Sequence, residues 1–499
     1  MGNMISIAKT IVESSEQSTT YATNGDISLN AASQVKLKSV DKIVYDKYKA
    51  PEQKEKQLKK FLIHVRRPAD YKGEYGFDWV RDEYIYPLYY IERDNRGHSC
   101  MSMLPLADNV AAVKSTYLKD VTSPIKPYGK DYYPAWLSIF PHTTPQQFKH
   151  GSSMNKNGAQ LDLELQEIED VVNDGTEISF ECKNPHLKIT PQKINIAALM
   201  GSGMQNRFLP GRIRVKYYNL KGAINIVNTD APLQHHEEIK IFAKLGNKKA
   251  EVGKLMVYQN NVIPKMELVL VRVGYQGNSM ATIEQQHVKD FEYQFKRNSF
   301  NQALIRAELK TDTSFEISTL PRSDSDVTNC LDNLHGTHRV FNGKQYLNDV
   351  IRLYEKYGTH KPAGGKIDAD ANKRTYMFLS DVGAGALQGQ TTGDGNVLDQ
   401  FSWGNAYMIF LKGLDSRRTL LHEAGHSLGL QHTFSAGDPF TGLVAPPFTF
   451  FQGQTDNIMD YGWQMNMNRN PFDMNDKMRS FFKWQWDIMR KDRSLILNY

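Results

Sequence analysis

The stretch "LHEAGHSLGLQHTF", Leu421–Phe434, decides the fold of the C-terminal part of this 499-residue chain. Three of the chain's 14 histidines, His422, His426 and His432, stand within it. The preceding "DSRRTLL" offers Asp415 or Ser416 as an N-cap, and good helix formers follow, so the spacing predicts a helix. Four residues of helix advance about 6 Å and return to the same face. His422 and His426 can therefore approach one ion from one side. Gly429 can take the positive φ that turns the chain out of the helix, which brings His432 to a third corner. Neutral imidazoles suit zinc, and a catalytic zinc keeps three protein ligands plus water. Glu423, next to the first ligand, can act as base on a water whose pKa the ion lowers to about 7.

A lone HExxH arises by chance, but HExxH followed by GxxH is far more restrictive. Downstream, "QTDNIMDYG" places Met459 27 residues after His432. HExxHxxGxxH with a later Met-turn is the metzincin signature. Residues 285–499 resemble a metzincin metallopeptidase, and "HEAGHSLGLQHTF" paired with "NIMDYG" is most similar to the pappalysin-like branch. The resemblance implies an α/β catalytic domain with a five-stranded sheet, with zinc (Zn2+) on His422, His426 and His432. It makes Glu423 the general base and acid, and Met459 the hydrophobic floor beneath the ion. Tyr461 follows two residues later. In some metzincins a tyrosine there ligates zinc and swings away to stabilise the oxyanion; in others it is structural. Fewer clear strands than five are evident in this part of the sequence.

The rest of the chain sets the context. Its length suggests about three domains, and 40% apolar with 11% aromatic residues suits a soluble globular protein. The basic excess, 61 Lys and Arg against 55 Asp and Glu, is mild and forms no long tract, so nucleic acid is not an expected partner. Cys100, Cys182 and Cys330 are odd in number and lack a CxxC, which argues against a disulfide framework or a cysteine metal site and for folding in a reducing compartment. The N-terminus has no apolar core of signal-peptide length, and no later run is long enough to span a bilayer. Gly2 and Ser6 match a myristoylation pattern that is too short to weigh much.

Four regions are expected. Residues 1–45 form a polar tail in which "NGDISLNAASQVKLKS" alternates like two short strands. Residues 46–160, after a charged linker, read as a compact β-rich domain with aromatic packing. Residues 161–280 carry "TEISFECKN", "GRIRVKYYNL", "AINIVN", "EEIKIFAKL", "GKLMVYQN" and "ELVLVRVGY". Short strands with regular turn signals suggest an Ig-like β-sandwich. From 285 to 499 strands and helices mix. "KQYLNDVIRLYEKYG" places Leu347, Val350, Ile351 and Tyr354 on one helical face, while "RTYMFLS" and "NAYMIFLK" read as strands. The fold class is thus multidomain: a β-rich N-terminal half followed by an α/β metzincin domain.

Weaker motifs read as ordinary structure. "DADAN" at 368–372 lacks the glycine and glutamate of a calcium loop. "DVGAGALQGQTTGDG" misses GxGxxG and would fall near the rim of a metzincin cleft. His235, His236, His335 and His338 have no partners at convincing spacing. The front half, through "FLIHVRRPADYKGEYGFDWVRDEYIYP" and "KPYGKDYYPAWLSIFPHTT", is similar to modular Bacteroidota proteins linked to type VI secretion. The residue 24–39 stretch resembles β-prism tips of the secretion spike. These resemblances imply a zinc endopeptidase effector or toxin, made in the bacterial cytoplasm and secreted or delivered into target cells. Its partners would be a protein or peptide substrate, spike proteins and a cognate immunity protein. A non-catalytic spike adaptor and a zinc amidase acting on peptidoglycan peptides are the alternatives.

Overall fold

The computed structural model describes residues 57–93, 99–209, 213–275, 285–334, 339–358, 373–391, 405–414, 416–435, 445–461 and 477–499. Residues Gln57–Tyr499 form one compact unit. The tail strands expected before residue 45, "DADAN", His335 and His338 lie outside the described residues.

Among the described residues two large sheets occupy the strand-rich half, beside a two-stranded antiparallel pair, Leu88–Arg93 with Ser99–Leu104. One runs in the order Phe61–Arg66, Ala159–Glu167, Ile213–Asn228, Met204–Leu209, with Leu187–Thr190 also on the third strand. The other runs Gly76–Asp78, Ala135–Ser138, Lys248–Val257, Glu237–Leu245, Glu177–Cys182, Lys193–Asn195. Period-two alternation puts Phe61, Ile63 and Val65 of the first sheet and Ile239, Ile241 and Ala243 of the second into one shared core. Strands from before residue 140 and after residue 158 interleave in both sheets, so the division expected at 160 coincides with no change of sheet. "GRIRVKYYNL" and "AINIVN" form a single strand, Ile213–Asn228, that continues through a bulge between Leu220 and Ile224.

The third sheet has five strands in the order Arg306–Glu316, Lys265–Gly274, Arg374–Ser380, Asn405–Ile409, Gly389–Thr391. The first four are parallel and the short edge strand is antiparallel. Lys265–Gly274 contains "ELVLVRVG", grouped by its composition with the preceding strands. It belongs here instead, so this sheet begins some 20 residues before the boundary expected at 285. The reason is two-sided burial. Met266, Leu268 and Leu270 enter one core, while Val269, Val271 and Val273 enter another against the helix Gly343–Tyr357. A strand covered on both faces reads as an apolar run, which is the mark of a parallel sheet. The architecture is therefore mixed α/β, with all-strand layers preceding a helix-covered parallel sheet.

The larger core joins both halves. Tyr84 and Trp136 from the front pack with Met459, Phe482 and Trp486 from the end of the chain. A fragment covering 285–499 loses the strand that hydrogen-bonds both Arg306–Glu316 and Arg374–Ser380. It is expected to be insoluble or to melt without cooperativity, whereas 57–499 melts as one unit by circular dichroism. A soluble, cooperatively melting 285–499 fragment would contradict this reading.

Candidate metal centre

The helix predicted around the three histidines spans Arg417–Ser427. Of the two candidate caps, Ser416 is the one described: its side chain accepts from the Thr419 amide at 3.1 Å. The helix lies under the sheet between Asn405–Ile409 and the edge strand, which buries His422, Glu423 and His426. Gly429 has φ +88°, and the chain turns back there as its left-handed conformation allows. His432 returns beside the helix, held by the Thr433 amide donating to Met459 O at 3.3 Å.

The three imidazoles converge. Each pair of Nε2 atoms among His422, His426 and His432 is 3.1 Å apart. On the far side of two rings, His422 Nδ1 lies 2.9 Å from Ile458 O and His426 Nδ1 lies 2.7 Å from Leu430 O. A carbonyl oxygen only accepts, so both Nδ1 atoms carry the proton and both Nε2 atoms present lone pairs. Burial first, and then the neighbouring histidines, keep the rings neutral: His432 is pushed down to about 3, and His426 falls to about 4 through burial. Lone pairs facing one another at this distance repel unless a cation lies among them. Tetrahedral zinc with bonds of 2.0–2.1 Å sets its nitrogen ligands about 3.3 Å apart, so the donor set fits such an ion. The cluster can hold a metal ion.

Neighbouring residues fix the arrangement. A Cβ at Gly425 would stand 2.4 Å from Met459 Sδ, so the absent side chain lets the buried methionine sulfur lie against the helix between the two histidine turns. Asn457 Oδ1 accepts from the Met459 amide at 2.8 Å and is itself held by Gln485. Buried Asp460 accepts from the Gly453, Thr455 and Tyr461 amides, and its own carbonyl accepts from Arg418. Sequence reasoning missed this frame, whose partners lie up to some 40 residues away along the chain. The tautomer-setting carbonyls of Leu430 and Ile458 carry no side-chain signal at all.

Glu423 is buried, and burial pushes its carboxyl up to about 8. The backbone of the edge strand presses on it, since a Cβ at Gly389 would come within 2.4 Å of Glu423 Cγ. The glycine-rich stretch expected at a cleft rim thus borders the acid. Tyr461 packs with its ring 4.8 Å from His432 and 4.9 Å from Phe434, which stacks on His432. His236, read as an ordinary histidine, accepts from the Gln259 amide and packs on Trp136 and Tyr258. Replacing His432 with Ala is expected to abolish high-affinity metal uptake, while His236→Ala leaves it intact. Equal metal content in the two purified variants, read by inductively coupled plasma mass spectrometry, would contradict the assignment.

No family model matches the chain, and no curated protein matches it. Among solved structures it is similar to the crystal structure of metalloproteinase-II from Bacteroides fragilis, at 11% identity and a TM-score of 0.24, over 52% of this chain and 78% of that one. Function has to be argued from the site and not from so distant a likeness. Among the described residues no helix is long and apolar enough to cross a membrane.

Proposed function

We propose that the chain is a zinc-dependent endopeptidase of the metzincin type, nearest the pappalysin-like branch. The convergence of three Nε2 atoms at 3.1 Å carries this reading, with a buried glutamate adjoining the first of those histidines. His422, His426 and His432 would hold zinc, which when bound supplies the Lewis acidity that activates water and polarises a carbonyl. Glu423 takes a proton from the attacking water and passes it to the leaving amide nitrogen. Its burial leaves it a strong base for a carboxylate. Tyr461, whose ring packs beside His432, would donate its hydroxyl toward a developing oxyanion. Met459 supports the two helical ligands from below. The antiparallel edge strand Gly389–Thr391, one of whose sides pairs with Asn405–Ile409, favours an extended polypeptide as substrate.

The front-half resemblance supports delivery as a type VI secretion effector, with an Ig-like β-sandwich carrying the peptidase and an immunity protein guarding the producer. Digestion of a denatured proteome by the purified full chain, with and without chelator, tests the activity. Chelator-sensitive internal cleavages are the expected result. Cleavage of muropeptides alone would favour the amidase, and no cleavage by zinc-loaded protein would favour the adaptor. Delivery is tested by comparing the protein's release from cells with intact and disabled secretion systems.

A further inference from the structure

Apart from the histidine cluster, the described residues form a heavily charged cleft of about 690 Å³. Arg66, Arg67 and Trp79 line it from the strand-rich half, and Asp456, Lys477 and Arg479 from the C-terminal part. Most of its charges are answered internally. Arg67 and Arg81 share Asp456, and Arg81 also reaches Asp78. Arg66 and Arg207 share Glu164, and Arg207 also reaches Asp82. Each group balances itself. Of the remaining lining charges, Lys477 and Arg479 outnumber the acid Glu83. Among the described residues neither Lys477 nor Arg479 has an ion-pair partner, and Arg479 Nη1 donates to the Tyr71 carbonyl at 3.2 Å. Arg67 Nη2 donates to Asp456, but its Nη1 is buried without an acceptor.

We infer that this cleft binds a carboxylate carried by a polypeptide. The net excess is one positive charge, which matches a monoanion better than a phosphate monoester carrying nearly two. Guanidinium groups grip a carboxylate through paired N–H donors, and an anion from outside the chain supplies the counter-charge that Arg479 and Lys477 lack among the described residues. The cleft also offers more than charge. The half-buried Trp79, with Arg81 4.0 Å and Arg67 5.2 Å from its ring centre, adds apolar surface to the lining for carbon atoms flanking the carboxylate. The volume lies in the range of ligand sites and far exceeds one carboxylate. The inference stands apart from the hydrolase reading, because the test reads binding.

Fluorescence anisotropy with the full-length Glu423→Gln chain provides the test. Three labelled probes are compared: a Glu/Ala hexapeptide with an amidated end, an Ala/Gly hexapeptide with a free terminal carboxylate, and the same Ala/Gly peptide amidated. One or both of the first two bind, which tells whether side-chain or terminal carboxylates are read, and the third does not. Adding Lys477→Gln and Arg479→Gln weakens binding tenfold or more with the melting temperature unchanged. Three results overturn the site: equal binding of all three probes, unchanged binding in the double variant, or displacement by inorganic phosphate at lower concentration than by acetate. Lys477→Gln alone, at an exposed position, repeats the comparison if the double variant fails to fold.

Discussion

Glu423→Gln is expected to leave the metal bound while slowing peptide hydrolysis by roughly 10²–10⁴-fold. The substitution preserves shape. That matters because the edge strand fits closely around this side chain, with ideal Cβ contacts of 2.4 Å from Gly389. The three imidazoles keep their carbonyl partners at Leu430 and Ile458, so the donor triangle should persist. What disappears is the group able to take and return a proton. Burial disfavours the charged form of Glu423, so a neutral amide there costs little stability and the melting temperature should hold or rise. Metal content, melting temperature and single-turnover cleavage are measured on the same sample. Near-normal cleavage by the metal-loaded variant would remove Glu423 from the chemistry.

The site was legible for a local reason. His422, Glu423 and His426 lie within a single helix whose period fixes which side chains share a face. His432 and its Gly429 turn follow at once, so backbone geometry alone couples residue types to position. Front-half strands were legible by their alternation, because each buries one face. The central strand Lys265–Gly274 shows the limit. Its composition resembles its neighbours in sequence, and only its uninterrupted apolar run separates it from them. Pairing of Phe61–Arg66 with Ala159–Glu167 spans about 100 residues, and no local pattern encodes such a partner.

Long-range ion pairs were less legible still. Asp456 sits inside "QTDNIMDYG", where nothing distinguishes it from a solvated turn acid. In the fold both its carboxylate oxygens are engaged by Arg81 at 2.7 and 2.9 Å, and Arg67 joins them. Its backbone oxygen accepts from the Arg479 and Ser480 amides. Arg81 is in turn covered by Trp79, Tyr84 and Phe482. The strand-rich half thereby grips the loop three residues before Met459 and two before the carbonyl that sets the His422 tautomer.

Asp456→Leu is therefore expected to destabilise the 57–499 unit by about 3–5 kcal/mol, the scale for removing one partner of a buried ion pair. Leucine leaves Arg67 and Arg81 buried with Asp78 as the one remaining acid of the cluster. The pH dependence gives a separate signature. Burial pushes the Asp456 carboxyl up, but Arg67 and Arg81 more than reverse this and hold it at about 2. An unfolded aspartate titrates near 3.9. The stabilisation is thus fully present above about pH 4 and is lost as pH falls from there towards 2. The gap between wild type and Asp456→Leu in urea melts should be largest at neutral pH and narrow below pH 4. Metal affinity should fall with stability, because the loop that positions Ile458 O and Met459 loses its anchor. Restoring charge balance with the quadruple change Arg67→Met, Arg81→Met, Asp456→Leu and Asp78→Asn should recover part of the loss. A gap that stays constant from pH 7 to pH 2 would show that Asp456 acts through packing and not through its charge.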